Sequence, residues 1–443
     1  MKVNIRKLSL TLLVLATIVP SYWFFSGRKI LNLIYYVAVL LFLVQNILSR
    51  NRLKKTKYGA AGIYICSLIL YCLQALLDTG MAAAINSVVS TVFIVIIVAE
   101  NVRNEVDFTK AIDALLNVSL PLLLLGVVEA ITGNNLFHLA GLTHPSATFY
   151  NEIRLGIHRV NSTFGHPIVY CNYLSMIAAL CIYRLSCEIK RKKRNWLKFV
   201  YAMTILNVLL TVSRSVMLVF IGEQIVLLAI KGERWLTKRK IVIFLFAIVG
   251  ALVSDFLGLG ILDKVSDVIN MILQVFGLGS DNYSSSFSSI GYSGIEGDRW
   301  KLYVWVAASI AGKWIFGQGA ETAFSYMATE YREKTAIENY YLSTLFHHGV
   351  VGLAVLIIGL LGLLYYLLIY EKKSREVHKK LSSENRLTFN TSMICILLGE
   401  IVSYFMVDQS GEVRLFYVCI GLVLAYNRIQ DMKMIGYSEG ATK

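Results

Sequence analysis

Residues 349–370 read GVVGLAVLIIGLLGLLYYLLIY, an apolar run without one charged side chain. A helix needs about 20 mostly apolar residues to cross the hydrocarbon core of a bilayer, where only helices and closed barrels satisfy their backbone polar groups. Because such runs recur, the sequence predicts an all-α, polytopic membrane protein with about 12 transmembrane helices. The predicted spans are Leu8–Phe25, Ile30–Ile47, Tyr58–Leu77, Met81–Ala99, Ala111–Ile131, Pro167–Tyr183, Leu197–Val212, Val216–Ile230, Ile241–Leu257, Gly349–Tyr370, Phe389–Val407 and Leu415–Tyr426.

The composition agrees with this class. Hydrophobic residues make up 56% of the chain and charged residues only 16%, so a soluble protein of 443 residues would lack the polar surface to cover itself. The formal net charge of +15 would suit a nucleic-acid partner if it formed one basic surface, but it is divided among short clusters between apolar runs. We therefore expect no nucleic-acid partner.

The clusters of Lys and Arg fall at every second connection, and the positive-inside rule assigns such clusters to the cytoplasmic side. Both termini join that side. The N-terminal apolar run ends in Trp23, Phe24 and Phe25 without a small-residue cleavage site, so it is predicted to remain as the first span. The basic clusters are Arg50–Lys55, Lys190–Arg194, Lys238–Lys240 and Lys372–Lys380.

Two connections on the predicted outer side are long, Thr132–His166 and Gly258–His348. Long loops in compact proteins are usually functional or disordered, so the larger one is the first place to look for a site. It is predicted to contain a surface helix at 265–276, a mobile Ser-rich tract at 282–293 and an apolar-faced helix at 300–314.

Arginines on the predicted outer side are the residues best suited to bind a ligand. Arg214 lies in the turn TVSRS (211–215), Arg299 lies in the large loop, and Arg154 and Arg159 precede His166 in the first outer loop. The positive-inside rule disfavours cations there, so several together indicate an anion, and an Arg fork binds phosphate bidentately. Snorkelling of Arg214 to the membrane interface is the alternative.

Other polar groups leave their roles open. His166 and the pair His347 and His348 lie at predicted helix starts on the outer side, where histidine suits proton transfer but is also common in loops. Buried acids allow either an ion pathway or pairing with a polar side chain inside the bundle. These acids are Asp113, Glu223 and Glu400.

Motifs for nucleotide, metal and serine chemistry do not occur. The sequence contains no P-loop, HExxH, metal-binding Asp-x-Asp or GxSxG, so it predicts no cofactor and no metal. The seven cysteines form no CxxC or Cys/His metal spacing and are predicted to be small buried apolar residues. They are Cys66, Cys72, Cys171, Cys181, Cys187, Cys395 and Cys419.

The order of these features resembles the superfamily of O-antigen ligases and Wzy-type polysaccharide polymerases, integral-membrane glycosyltransferases of the GT-C class. RVNSTFGHP (159–167) is similar to the family's Arg-x-x-Gly-x-Phe-x-(His/Asn)-Pro motif. Ser213-Arg214, Arg299-Trp300 and Gly317-Gln318-Gly319 follow in family order. ENYYLSTLFHHGVVG (338–352) is similar to His-Asn-x-Tyr-Leu-x-x-Leu-x-x-x-Gly-x-x-Gly, with Glu338 in place of the histidine.

The resemblance implies a donor glycan carried on undecaprenyl diphosphate at the outer face of a bacterial cytoplasmic membrane. Arg214 and Arg299 would bind the diphosphate while an acceptor hydroxyl attacks the anomeric carbon. Glu338 would be the general base, with His347 or His348 next, unless Glu338 forms an ion pair with one of the arginines. The residues expected to bind or position substrate are Arg154, Arg159, His166, Asn339 and Tyr341.

These expectations divide the chain into N-terminal transmembrane helices (1–132), a catalytic core (133–370, with the outer loop 258–348) and a C-terminal transmembrane hairpin with a cytoplasmic tail (371–443). The leading hypothesis is a polymerase of capsule, exopolysaccharide or O-antigen repeats. Its partners would be the lipid-linked oligosaccharide, membrane lipid, a flippase and a chain-length regulator. The alternatives are a ligase that moves glycan to lipid A, a wall polymer or a protein, and a glycolipid flippase without enzymatic activity.

Overall fold

The computed structural model describes residues 5–20, 23–25, 28–48, 61–74, 76, 80–135, 153–154, 157–231, 302–319, 322–329, 332–334, 337, 339–380, 387–405 and 414–440. The predicted span Ile241–Leu257, the predicted surface helix at 265–276, the Ser-rich tract and Arg299 lie outside the described residues.

The described residues form a bundle of helices, as the apolar runs predict. Three short antiparallel hairpins lie in the connections: β1 (Phe24–Phe25) with β2 (Arg28–Lys29), β3 (Ile153–Arg154) with β4 (Ile157–His158), and β5 (Tyr326–Thr329) with β6 (Arg332–Lys334). A helical segment also covers 302–309. The other helices are α1 (Ile5–Ala16), α2 (Ile30–Leu48), α3 (Ala61–Leu73), α4 (Met81–Ser90), α5 (Val92–Asn101), α6 (Glu105–Thr132), α7 (Pro167–Cys187), α8 (Arg191–Leu210), α9 (Arg214–Lys231), α10 (Tyr340–Lys380), α11 (Phe389–Ser403) and α12 (Arg414–Gly440).

Five helical segments in the described part of the chain are long and apolar enough to cross a membrane. Shorter apolar helices accompany them at Ala61–Leu73, Val216–Ile230 and Phe389–Ser403. The chain is therefore an integral membrane protein. The count of about 12 spans and the large outer loop stay predictions. The five long segments are Ile30–Leu48, Met81–Asn101, Glu105–Thr132, Pro167–Cys187 and Tyr340–Glu376.

Several helix boundaries differ from the prediction. Helix α1 ends at Ala16 rather than continuing to Phe25, because Pro20 has no N–H to donate to the Ala16 carbonyl and its ring would clash with that carbonyl. The span predicted at Met81–Ala99 is interrupted at Thr91, where two helices meet. Helix α10 begins at Tyr340 rather than at Gly349, and Gly349 instead marks a kink inside it, with φ 65° and ψ −167°.

Helix α7 is the centre of the bundle. Nearly all its side chains are buried, and it packs against α6, α8, α9 and α11. Helix α2 is more apolar than α7 but leaves Leu33, Leu40 and Ile47 exposed along one side, as expected for a helix that faces lipid. The prediction for the cysteines holds for most of them, but Cys66 is exposed on α3 and Cys187 is half-buried at the end of α7.

Ion pairs collect at one end of the bundle, which we call the basic end. Arg184 of α7 donates from Nε to Asp113 Oδ1 (3.0 Å) and from Nη2 to Glu188 (3.1 Å), and Lys193 contacts both acids. Asp113 is therefore paired with cations, as one of the two interpretations predicts. Burial alone would raise the pKa of the Glu188 carboxyl, but the Lys190 backbone N–H and the charges of Arg184 and Lys193 lower it overall.

Candidate active site at the motif end of the bundle

The opposite end of the bundle collects the segments that resemble the family motifs, and we call it the motif end. Backbone and side-chain hydrogen bonds join these segments although they lie far apart in the sequence. The motif segments are 158–166, 207–214, 313–319, 337 and 339–350, and they are joined to two further segments, 129–135 and 401–405.

Arg159 connects the first motif to the turn before α9. Its guanidinium donates from Nε to the Thr211 carbonyl (3.0 Å) and from Nη2 to Ser213 Oγ (2.9 Å). The adjacent Val160 N–H donates to the Leu210 carbonyl (3.1 Å). Because Arg159 is only 4% exposed, its charge is placed against this turn rather than toward solvent.

Two residues in these segments adopt a left-handed backbone although neither is glycine. Ser162 has φ 51° and Val212 has φ 47°. This conformation is a genuine outlier for a β-branched residue such as Val212, and holding a non-glycine residue there costs about 1–3 kcal/mol. Ser162 stands where the family motif has glycine, which would adopt the same φ without strain.

Glu129, near the end of α6, was not singled out in the sequence. Its Oε1 accepts the Asn161 N–H (3.2 Å), and its Oε2 accepts the Ser162 N–H (2.8 Å). Asn135 donates to the same carboxylate (3.2 Å) and to the Ser162 carbonyl (2.8 Å). The carboxylate thus holds the backbone on the N-terminal side of α7. The available signal was an acid inside an apolar run.

His166 begins α7. Its Nδ1 accepts the Ile168 N–H (3.1 Å), and Pro167 follows in the first helical turn, where a missing N–H has no cost. The neighbouring Tyr170 hydroxyl donates to Asn207 Oδ1 (3.0 Å), which ties α7 to α8. The His166 ring is thus engaged in helix capping at the place where the sequence predicts a substrate-positioning residue.

The Gly-x-Gly motif binds directly to α10. The Gln318 N–H donates to the Phe346 carbonyl (2.8 Å), and the Gly319 N–H donates to the His347 carbonyl (3.0 Å). Because Gly349 interrupts the helical backbone, the N–H groups of the next two residues of α10 bond to partners outside the helix. Val350 N–H donates to the Trp314 carbonyl (2.8 Å) and Val351 N–H to the Ile315 carbonyl (3.1 Å).

Glycine is required at this contact because the two backbones approach closely. Gly317 has φ 78°, and a Cβ there would lie 2.6 Å from the Gly349 nitrogen and 2.7 Å from the His347 oxygen. A Cβ on Gly349 would overlap the Ile315 carbonyl. The two glycine motifs of the sequence are therefore the two halves of one packing contact.

His347 is oriented by that contact. Its Nδ1 lies 2.9 Å from the Gly319 carbonyl oxygen, which can only accept, so Nδ1 carries the hydrogen. In a neutral ring the lone pair then lies on Nε2, the atom that would take a proton. His348 faces another way, with its ring against Tyr71 of α3 at a centroid distance of 5.1 Å. The centroids of the two histidine rings lie 6.3 Å apart.

Asn339 and Tyr341 anchor the start of α10 to the end of α11. Asn339 Oδ1 accepts the Leu342 N–H (3.1 Å) as an N-cap, and its Nδ2 donates to the Phe405 carbonyl (3.3 Å). The Tyr341 hydroxyl donates to the Ile401 carbonyl (2.9 Å). Both residues, predicted to bind substrate, have these structural partners.

Helix α11 joins the two groups of motif segments, a role that the sequence did not indicate. It packs against α7, α9 and α10, and its Ser403 hydroxyl donates to Asn172 Oδ1 of α7 (3.3 Å). Glu223 of α9 accepts a hydrogen bond from Ser175 and lies against Gly399 of α11. The pairing of Glu223 with a serine agrees with the structural interpretation of the buried acids.

The remaining predicted site residues are described in part or not at all. Arg214 is the first residue of α9 and Arg154 lies in strand β3, but only their backbone is described. Glu338 and Arg299 lie outside the described residues. Among the residues that the structure describes, no group of three His, Cys, Asp or Glu side chains is arranged to hold a metal ion.

The described helices thus form a bundle of the integral-membrane type, with the motif segments gathered at one end. Residues 199–357 match the family model described as O-antigen ligase, and members of that family are membrane glycosyltransferases of the ligase or polymerase type. The match confirms the resemblance drawn from the motifs, and it covers Arg214, Arg299, the Gly-x-Gly and the Glu338 motif. A search of curated proteins gives no match to the chain.

Proposed function

We propose that this protein is a polysaccharide polymerase, which transfers an undecaprenyl-diphosphate-linked glycan onto a lipid-linked repeat unit. The observation that carries the proposal is the joining of distant motif segments at one end of the bundle. The Gly-x-Gly is bound to His347 and Gly349, and Arg159 is bound to the turn that precedes Arg214. Residues 133–370 are the proposed catalytic core.

In the proposed reaction the acceptor hydroxyl attacks the anomeric carbon of the donor. The bond between that carbon and the diphosphate oxygen breaks, and undecaprenyl diphosphate leaves. Arg214 and Arg299 stabilise the negative charge that develops on the leaving diphosphate. For Arg214 the position is favourable, because the first residue of a helix lies at the positive end of the helix dipole.

The acceptor proton goes to a general base, for which Glu338 is our first proposal and His347 the second. His347 is the better placed of the two histidines, since its Nδ1 is occupied by Gly319 and its Nε2 remains to accept a proton. We propose that the motif end faces the outer side of a bacterial cytoplasmic membrane, with both termini inside. The basic cluster Lys190–Arg194 begins α8 at the opposite end, which is the cytoplasmic side by the positive-inside rule.

A deletion strain tests the function directly. If the protein is a polymerase, the lipid-linked glycans of the strain will be single repeat units, because the donor is made and exported but not extended. Full-length lipid-linked chains would instead indicate a ligase, an alternative that the description of the matching family favours. Glycolipid trapped on the cytoplasmic side would indicate a flippase. Extraction and mass analysis of the lipid-linked pool distinguish the three.

Glu338→Gln tests the base. If Glu338 removes the proton, this variant will extend chains about 100-fold more slowly and will lose the acidic limb of the wild-type pH–rate profile. His347→Gln is the matched comparison, because glutamine can still donate to the Gly319 carbonyl while no group titrates. An unchanged acidic limb in Glu338→Gln, together with its loss in His347→Gln, would assign the base to His347.

A further inference from the structure

We propose that Arg159 and Glu129 are positioning residues, which act through the turn Thr211–Ser213 to fix the place of Arg214 and do not themselves contact the donor. The inference rests on the proposed role of Arg214. It gives a role to Glu129 and assigns Arg159 a different one from the substrate binding that the sequence suggests.

Arg159 contacts the turn Thr211–Ser213 directly. Its guanidinium holds the Thr211 carbonyl and the Ser213 hydroxyl, one on each side of Val212. Val212 is the residue with φ 47°, so the hydrogen bonds bracket the strained position. Ser213 is followed directly by Arg214, and any relaxation of the turn therefore moves the start of α9.

Glu129 holds the segment around Arg159 in a similar way. Glu129 accepts the N–H groups of Asn161 and Ser162, and Ser162 is the other residue with a left-handed backbone, at φ 51°. The Val160 N–H donates to the Leu210 carbonyl, which joins this segment to the end of α8. Glu129 therefore sets the position of the backbone that carries Arg159.

Burial separates this role from substrate binding. Arg159 is 4% exposed and Glu129 is 7% exposed, so a diphosphate could not reach either without displacing the contacts described above. Strained non-glycine residues persist only where the surroundings hold them, and they cluster at functional sites. Here Val212 is held by the buried side chain of Arg159 and Ser162 by that of Glu129, and both contacts bear on the position of Arg214.

The experiment tests whether glycine at position 212 restores the activity lost in an Arg159 variant. Arg159→Lys removes the bidentate hold on the turn, and chain extension by the full-length protein in membranes should fall about 100-fold, as expected for a reacting group displaced by about 1 Å. Val212→Gly relieves the strain that Arg159 opposes. The double variant Arg159→Lys/Val212→Gly should therefore recover most of the lost activity. Glu129→Gln and Ser162→Gly form the second such pair.

A second measurement asks whether Arg159 acts through Arg214. The partial variant Arg214→Lys provides a measurable background. If Arg159 positions Arg214, then Arg159→Lys will have much less effect in the Arg214→Lys background than in the wild type, because the two act as a unit. Full additivity of the two losses and no rescue by Val212→Gly would overturn the proposal and return Arg159 to substrate binding.

Arg428→Lys is the matched control. Arg428 also donates to two backbone carbonyls, those of Ala99 and Val102 (both 2.7 Å), but it lies at the basic end. This variant should lower thermal stability without lowering chain extension, and Val212→Gly should raise its melting temperature only by as much as it raises that of the wild type. A similar loss of extension in Arg428→Lys would mean that activity follows stability alone, which would contradict a positioning role.

Thermal unfolding of the purified protein separates failure of this proposal from failure of the proposed function. If the wild type extends no chain, the polymerase assignment fails. The melting temperatures still show whether Arg159 stabilises the turn Thr211–Ser213. Val212→Gly should raise the melting temperature more in Arg159→Lys than in the wild type if Arg159 holds a strained turn. An equal rise in the two backgrounds would show that it does not.

Discussion

Arg214→Ala is expected to abolish chain extension while leaving expression and membrane insertion intact. Removing one group that stabilises developing negative charge commonly costs about 100- to 1,000-fold in rate, and an arginine on the leaving diphosphate is such a group. Arg299→Ala should have an effect of the same order. The polymer length distribution on cells that express each variant at wild-type level measures both.

Arg214→Lys refines this prediction. Lysine keeps the charge but lacks the planar fork that binds two phosphate oxygens at once, so it should restore only a small part of the activity. Arg375→Ala is the control for loss of a cation, since Arg375 is 61% exposed in an ion pair with Glu371 of α10. Polymer of normal length from Arg214→Ala or Arg299→Ala would refute the assignment of the diphosphate to these residues.

Gly349→Ala is expected to have the second large effect. With φ 65° and ψ −167°, Gly349 lies in a region open almost only to glycine, and an alanine there costs about 1–3 kcal/mol before any collision. The added Cβ also overlaps the Ile315 carbonyl, so the Gly-x-Gly segment must separate from α10. We expect chain extension to fall about 100-fold and the melting temperature to drop.

Two further variants make that result specific. Gly317→Ala approaches the same contact from the other side, at φ 78° and 2.6 Å from the Gly349 nitrogen, and should reproduce the loss. Gly222→Ala in α9 is the matched control, because its Cβ would meet nothing within 4 Å. It should leave extension unchanged and raise helix stability slightly. Wild-type extension by Gly349→Ala would show that the contact is not needed for activity.

The sequence predicted the membrane class, most of the helices and the order of the motifs. Long apolar runs suffice for this, because lipid and protein interior exclude charge alike. Local capping was also readable in part. Pro167 begins α7, as the predicted span Pro167–Tyr183 has it, because proline suits the first turn of a helix.

The sequence failed where one apolar surface had to be distinguished from another. Helices α2 and α7 are both apolar enough to cross a membrane, but the less apolar α7 is buried on all sides and the more apolar α2 has an exposed side. Cys66 was expected to be buried on the same ground and is exposed. Hydropathy cannot separate these cases, since a side chain that faces lipid and one that faces another helix are equally apolar.

By itself, then, the sequence determined that this chain lies in a membrane and that it carries motifs of a glycan-transferring family. The tertiary structure decided which partners the motif residues contact. The Gly-x-Gly is hydrogen-bonded to α10 beside the kink at Gly349, and Arg159 donates to Thr211 and Ser213. Glu129 accepts the backbone N–H of Ser162. The physical reason is that local composition determines whether a segment becomes a helix, whereas the partner of a buried charge is chosen by contacts between segments far apart in the chain.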